Sequence, residues 1–352
     1  MSKSPRQCPE CGTVAQQTGD FCQGCCQRLD GSSQRAVGSV LELIGNTPVL
    51  QLDRLVESRG LAGRLILKLE YLNPGFSKKD RVALEIIREA SLEGSLTPGQ
   101  IVVELTSGNT GTGLAIVCAA LGHPFVAVMS KGNSMERARM MRALGATVEL
   151  VEQTLGGTPG QVSGADLALV EARARELVDE LDAFRADQFS LTGSALAHER
   201  HTGPELWEQC GGQIDAFVDF VGSAGSFTGV MRALRKTNPG IRGYVVEPAM
   251  AAALSGASVL SPNHRIQGGG YSMDALPLLD RSLVDGYLTV DDDTVIKTTR
   301  LLAQLEGVFA GFSTGANVAA ALELLEDSEE PISVAALACD SGLKYLSTDL
   351  YS

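Results

Sequence analysis

Short apolar runs alternate with longer amphipathic stretches along this chain from residue 37 onward. Runs at 64–69, 101–105, 125–129, 147–151, 216–221, 244–246, 308–312 and 332–339 have strand length and are apolar almost throughout, not only at every second position. Helical spacing recurs between them, near 80–93, 110–121, 134–144, 165–181, 195–209, 226–236, 292–306 and 315–326. Apolar strands separated by helices predict an α/β architecture whose sheets are mostly parallel and covered by helices on both faces. Ligands of such sheets lie beyond the carboxyl ends of the strands. The Gly-, Ser- and Thr-rich segments of this chain fall at those ends.

Composition narrows the class further. A chain of 352 residues, 44% of them hydrophobic, has material for one large or two ordinary domains. Its net charge of −13 argues against a nucleic-acid partner, whose phosphates would be repelled. No apolar run approaches the roughly 18–20 residues that a membrane helix needs. The first seven residues lack the apolar stretch of a signal peptide, so the expected location is cytoplasmic.

Five of the eight cysteines crowd into the first 26 residues. Cys8 and Cys11 form one CxxC turn and Cys22 and Cys25 a second, with ten residues between the turns. Two such turns can close a tetrahedral thiolate shell around a structural zinc ion, with Gly12 and Gly24 easing the backbone. Cys26 is an alternative fourth ligand to Cys25. A redox dithiol would expect a single CxxC beside a βαβ unit. A segment this small lacks an adequate core, so metal would supply much of its folding free energy. The expectation is a zinc-ribbon-like module with its linker over 1–34 and a catalytic domain over 35–352, the latter with a smaller lobe near 86–190. Cys118, Cys210 and Cys339 stand apart in apolar or mixed contexts and read as core residues.

The candidate chemistry centres on Lys79, in the run Asn73-Pro74-Gly75-Phe76-Ser77-Lys78-Lys79-Asp80-Arg81. It opens a predicted helix, and three strand-to-helix loops follow at 106–111, 222–229 and 311–316. Thr106, Ser107, Asn109 and Thr110 stand in the first loop. Gly222, Ser223, Ala224, Gly225 and Ser226 stand in the second, where backbone amides and hydroxyls can converge on a phosphate. A lysine ahead of such loops suits the Schiff base of a pyridoxal phosphate (PLP) enzyme, because an amine desolvated in a cleft becomes a nucleophile. By itself Lys79 is one of 29 basic residues, and each loop is an ordinary glycine-bearing turn. It is their order that carries the reading.

These motifs, together with Ile44-Gly45-Asn46-Thr47-Pro48, Glu136-Arg137, His264-Arg265-Ile266-Gln267-Gly268 and the run from Asp340 to Asp349, resemble the cysteine synthase and cystathionine β-synthase family of fold-type II PLP enzymes. The resemblance covers essentially everything after the linker and implies a two-lobed α/β fold with mostly parallel sheets. It implies that Lys79 forms the internal aldimine and then serves as the Cα base. Asn109 would bond the phenolic oxygen of PLP, Gly222 to Ser226 would hold its phosphate, and Ser313 would face the pyridine nitrogen. Thr106, Ser107, Thr110 and Gln188 would hold the amino acid carboxylate. A hydroxyl at the ring nitrogen leaves that nitrogen mostly unprotonated, which favours loss of a β-leaving group. The implied reaction is β-replacement on O-acetylserine or O-phosphoserine through an aminoacrylate, giving cysteine or a related β-substituted alanine. Serine or threonine dehydration uses the same early steps. A non-catalytic homologue that binds a partner through the zinc module is a third reading, against which the retention of Lys79, Asn109 and Ser313 counts. The fold commonly forms homodimers.

Several positions depart from the family pattern. Tyr271 adds a bulky ring at the pocket mouth, in Gly268-Gly269-Gly270-Tyr271-Ser272. Asn133 replaces the family's Met, Ala224 replaces a common glycine, Gln188 is followed by Phe189-Ser190-Leu191, and 155–164 is lengthened. These departures raise the expectation of a larger or anionic nucleophile, such as thiosulfate, sulfite or an amine, alongside the simpler reading of drift around a sulfide site.

Overall fold

The computed structural model describes residues 36–352 apart from 107, 134, 155–163 and 263. The four cysteines proposed as zinc ligands, Cys8, Cys11, Cys22 and Cys25, therefore lie outside the described residues, as do Cys26 and Ser107. Residues 39–352 make one compact unit, separate from the unit Met1–Gly38, and the fold below is that of 39–352.

Among the described residues ten strands and ten α-helices occur, most of them where the sequence alternation places them. The strands are β1 (Val49–Gln51), β2 (Arg64–Lys68), β3 (Val102–Leu105), β4 (Phe125–Ser130), β5 (Thr147–Val151), β6 (Phe184–Arg185), β7 (Ala216–Phe220), β8 (Arg242–Pro248), β9 (Gly286–Val290) and β10 (Ser333–Leu337). The helices are α1 (Asp53–Ser58), α2 (Lys79–Glu93), α3 (Asn109–Leu121), α4 (Met135–Ala143), α5 (Gly164–Leu181), α6 (Gly193–Ala197), α7 (Gly203–Gln209), α8 (Gly225–Thr237), α9 (Asp292–Glu306) and α10 (Phe312–Glu326). Two sheets result, one ordered β1-β2-β10-β7-β8-β9 and the other β5-β4-β3-β6. Among the described residues every strand pairing is parallel except β1 with β2.

Period-two alternation sends successive residues of the central strands into different cores. Leu65, Leu67, Ala216, Val218, Val334 and Ala336 pack under α1, α9 and α10. Ile66, Phe217, Ala335 and Leu337 pack instead with Phe227, Val230 and Leu234 of α8. The smaller sheet is covered likewise, by α2, α3 and α4 on one face and α5 on the other. Because both faces are buried, the central strands need apolar residues throughout, and β7 and β10 are fully buried along their lengths.

Three short elements escape the sequence pattern. β1, β6 and β9 lie at sheet edges, and their residues are mostly half-buried. The run 308–312, expected as a strand, contributes one isolated bridge from Ala310 to Ser341 before α10 begins at Phe312. Val308, Ala310 and Phe312 are apolar because they are buried in the core, not because they belong to a sheet. The single helix expected over 195–209 is α6 and α7 joined through one π turn, His198–Thr202.

Charged residues interrupt the buried strands near their carboxyl ends. Lys68, Glu104, Asp219 and Glu247 stand in β2, β3, β7 and β8 and are 0–3% exposed. The start of α2 is anchored to two carboxylates, Glu70 and Glu205, the second of which is shared with Lys68. Arg81 donates from Nε and Nη2 to both Glu70 oxygens, at 2.7 and 2.8 Å, and from Nη1 and Nη2 to both Glu205 oxygens, at 2.7 Å each. Lys68 Nζ reaches Glu205 at 2.7 Å and Gln209 at 2.8 Å. Desolvation alone would push Glu70 up, but the Arg81 charge, the hydrogen bonds from Arg81 and Thr47 and the Lys68 charge together hold the carboxyl below its ordinary value. The backbone of α2 is also clamped from two sides by glycines. A Cβ at Gly113 of α3 would lie 2.9 Å from the Lys79 carbonyl oxygen, and one at Gly193 of α6 would lie 2.9 Å from Ile86 Cα.

Replacing Arg81 with Met leaves Glu70 and Glu205 without their main partner. Breaking a buried pair on one side costs about 3–5 kcal/mol, and urea unfolding of Arg81→Met should show a loss of that order.

Candidate active site

The site is built from the turn preceding α2. Asn73 Nδ2 donates to the Glu70 carbonyl at 2.8 Å, and its Oδ1 accepts from Gly45 N at 2.8 Å. Phe76 adopts a left-handed φ of 62°. Asp80 reaches back to accept from Gly75 N at 2.5 Å, and burial pushes its carboxyl up to about 7 although that amide pulls the other way. Lys78 N donates to the Cys339 carbonyl at 2.9 Å, which ties the start of α2 to the end of β10.

Two adjacent lysines leave this turn with opposite fates. Lys78 Nζ donates to Asp219 Oδ1 at 3.0 Å and to Ser226 Oγ at 2.8 Å. Despite desolvation, the Asp219 charge raises its pKa above the ordinary value. The Lys79 amine lacks such an acceptor. Burial, and then the neighbouring Lys78 ammonium, push it down to about 8. A substantial fraction is therefore neutral near physiological pH, the form in which an amine attacks a carbonyl.

Around Lys79 the three loops converge. Thr106 Oγ1 accepts from Gly108 N at 3.0 Å and Gly111 N at 2.9 Å, so this hydroxyl shapes its own loop. Thr110 Oγ1 donates to Gln188 Oε1 at 2.7 Å, bringing those two expected carboxylate contacts together. Asn109 is held on both sides: Nδ2 donates to Asp340 Oδ2 at 2.8 Å, and Oδ1 accepts from Lys344 Nζ at 2.5 Å. Ser313, in the first turn of α10, lies beside the Cys339 thiol, which burial pushes up to about 11. Cys339 N donates to Thr314 Oγ1 at 3.1 Å. Cys339 and Asp340 thus form a floor that touches the turn of Lys79 and the elements bearing Asn109 and Ser313.

The loop at 222–226 starts α8 with Ala224 at a left-handed φ of 63°. No side chain caps the helix, so its first-turn amides, the groups no intrahelical carbonyl can reach, are available to an anion. Ser223 and Ser226 are 5% and 8% exposed, and the Lys78 ammonium lies against the same turn. A near-neutral lysine amine beside an uncapped helix start with a cation at its edge fits a phosphorylated aldehyde such as PLP. Gly222 lies under the 268–270 segment, whose Gly268 carbonyl oxygen would stand 2.5 Å from a Cβ there. Tyr271 follows this segment, 38% exposed, with its ring 6.0 Å from that of Phe189 in an edge arrangement.

The model of the pyridoxal-phosphate dependent enzyme family matches residues 40–340. The chain belongs to this family. A cysteine synthase of Staphylococcus aureus is 38% identical over 91% of this chain and 99% of its own length. The O-ureido-L-serine synthase of Streptomyces lavendulae is 39% identical over 89% of this chain and 92% of its own. Among solved structures, an O-acetyl serine sulfhydrylase isoform from Entamoeba histolytica superimposes with a TM-score of 0.83 at 34% identity, covering 91% of this chain and 93% of that one. This PLP enzyme is cysteine-synthase-like, and its chemistry is β-replacement.

Several residues of the enzyme's site were not singled out from the sequence. Lys78, Asp219, Asp340 and Lys344 all lie within hydrogen-bonding reach of a candidate residue or loop. Asp219 had a visible signal, a carboxylate inside the otherwise apolar run 216–221. Cys339, read as a core residue, is buried as expected and also lines the site. Among the described residues no cluster of metal-ligating side chains occurs, and no helix is long and apolar enough to cross a membrane.

Ala224 provides a local test. Ala tolerates the left-handed region at a cost of about 1–2 kcal/mol and a β-branched residue does so far less well. Thermal unfolding should place Ala224→Gly within about 1 kcal/mol of the parent, whereas Ala224→Val should lose about 2 kcal/mol or more.

Proposed function

We propose that the enzyme replaces the β-substituent of an O-activated serine, O-acetylserine or O-phosphoserine, using Lys79 as both cofactor anchor and proton carrier. The observation that carries this reading is the Lys79 amine, pushed down to about 8 at the start of α2 beside the uncapped start of α8. Gly222, Ser223, Ala224, Gly225 and Ser226 would hold the phosphate of PLP. Asn109 gives one N–H to Asp340 and would give its second to the ring hydroxyl. Ser313 would face the ring nitrogen.

Bound there, PLP supplies an electron-withdrawing ring that acidifies the Cα–H and lets the β-substituent leave. Once displaced by the substrate amine, Lys79 Nζ would take the Cα proton as general base and return it after the nucleophile has added at Cβ. Ser313 would offer a hydroxyl, not a carboxylate, to the ring nitrogen, which would disfavour a protonated ring and favour departure of the β-group. Thr110 and Gln188, joined by their hydrogen bond, would orient the substrate carboxylate together with Thr106 and Ser107.

The nucleophile we propose is larger than sulfide or anionic. Tyr271 supports this, as does Arg137, whose Nη2 donates to Gln267 Oε1 at 2.6 Å. One relative is named for a product other than cysteine. Steady-state assays with a panel of thiosulfate, sulfite, amines and sulfide decide the point, and a strong preference for sulfide would refute it. We further propose that Cys8, Cys11, Cys22 and Cys25 hold a structural zinc ion in a module over 1–34, where a protein partner could dock, and that the enzyme is a cytoplasmic homodimer. Metal analysis of the purified chain should then give one zinc per chain, lost when the four cysteines are replaced by Ser.

Lys79→Ala should lower kcat by about 10²–10⁴-fold or more, the usual worth of a general base, with the fold unchanged by circular dichroism. The pH dependence has a definite sign. Since the neutral amine is the reactive form, the rate at which apoenzyme captures PLP should rise about tenfold per pH unit below 8 and level off above it. An unshifted lysine would keep rising toward about 10.4. Stopped-flow absorbance measures this directly.

A further inference from the structure

Lys78 stands where an ammonium is poorly placed on electrostatic grounds. It lies against Ser226 in the first turn of α8, the positive end of a thirteen-residue helix. Its partner Asp219 is fully buried in β7, equally unfavourable for an isolated carboxylate. As a device for stability the pair adds little, since apolar residues of similar volume commonly serve as well. Its position points to the contents of the site.

The hydrogen-bond inventory makes the point specific. Ser226 Oγ donates its one proton to Asp219 Oδ2 and accepts from Lys78 Nζ. The hydroxyl that the 222–226 loop would be expected to offer a phosphate is therefore already committed. Lys78 carries three N–H donors. One is shared between the two Asp219 oxygens at 3.0 and 3.3 Å and a second goes to Ser226, while the third has only the Cys339 thiol beside it, a weak acceptor that a phosphate oxygen would outcompete. Its side chain is 11% exposed, and its ammonium lies directly against the first turn of α8.

We propose that Lys78 is a second lysine of the site, a positioning residue whose ammonium, aimed by Asp219 and Ser226, donates to the phosphate of PLP. This rests on the assignment of the 222–226 loop to that phosphate. The same ammonium faces Lys79 and favours its neutral form, so one charge serves both ends of the cofactor. The sequence Lys78-Lys79 thus divides two tasks between adjacent residues, a permanent cation and a titrating nucleophile.

The test compares PLP with pyridoxal, which lacks the phosphate, by titrating full-length apoenzyme and reading absorbance and fluorescence. Removing Lys78 alone strands Asp219, so the main variant is Lys78→Met with Asp219→Asn, in which Ser226 keeps a partner. A charge-assisted hydrogen bond lost at the phosphate should weaken PLP binding by about 10–100-fold and leave pyridoxal binding within about threefold. Lys78→Arg should restore most of the preference. Lys78→Gln, which keeps hydrogen bonds but not charge, gives the same comparison if the double variant does not fold. Equal weakening of both ligands, or unchanged preference for PLP, would overturn the role of Lys78 while leaving the assigned function standing. Failure of the parent apoenzyme to prefer PLP over pyridoxal would overturn both.

Discussion

The first turn of α2 and the residue before it are the constraint on which the rest of the site depends. Four consecutive charged residues, Lys78, Lys79, Asp80 and Arg81, leave this short segment in different directions. Lys78 is fixed to β7, Asp80 to the preceding turn, and Arg81 to Glu70 and Glu205. With three of the four immobilised, the orientation of the helix start is over-determined, and so is the position from which the Lys79 amine emerges. Gly113 and Gly193 then let neighbouring backbone press against the helix more closely than any side chain would allow. Reactive geometry of this kind requires supporting groups that are themselves locked.

Buried charge is the second theme, and it follows from the architecture. Parallel strands covered on both faces have little room for polar residues except at their carboxyl ends, where loops open the cleft. Lys68, Glu104, Asp219 and Glu247 occupy such ends. Burial pushes Glu104 up to about 8, an effect that Arg185 only partly offsets. Glu205, paired with Arg81 and Lys68, stays below its ordinary value despite desolvation. A buried acid in strand β3 of one lobe thus holds its proton while one in helix α7 of the other is a fixed anion, the difference lying in whether one cation or two face it.

Much of this was legible in the sequence where information is local. The apolar runs located seven strands, and motif order around Lys79 identified the family. Thr110 and Gln188, read from separate motifs, meet in a hydrogen bond. What stayed hidden depends on distance along the chain. The Lys78–Asp219 pair spans 141 residues and the Asn109–Asp340 bond spans 231. Neither residue of such a pair announces its partner. Edge strands were missed because partial exposure dilutes their apolar pattern, and 308–312 was misread because core burial and sheet membership leave the same mark on a short run.

Cys339 has a consequence of another kind. The enzyme handles an amino acid made electrophilic at Cβ, yet a cysteine stands in the wall beside Ser313. With its thiol pushed up to about 11, only about one molecule in ten thousand carries a thiolate at neutral pH. The nucleophile for Cβ therefore has to come from solution. Burial protects the catalyst from alkylating itself.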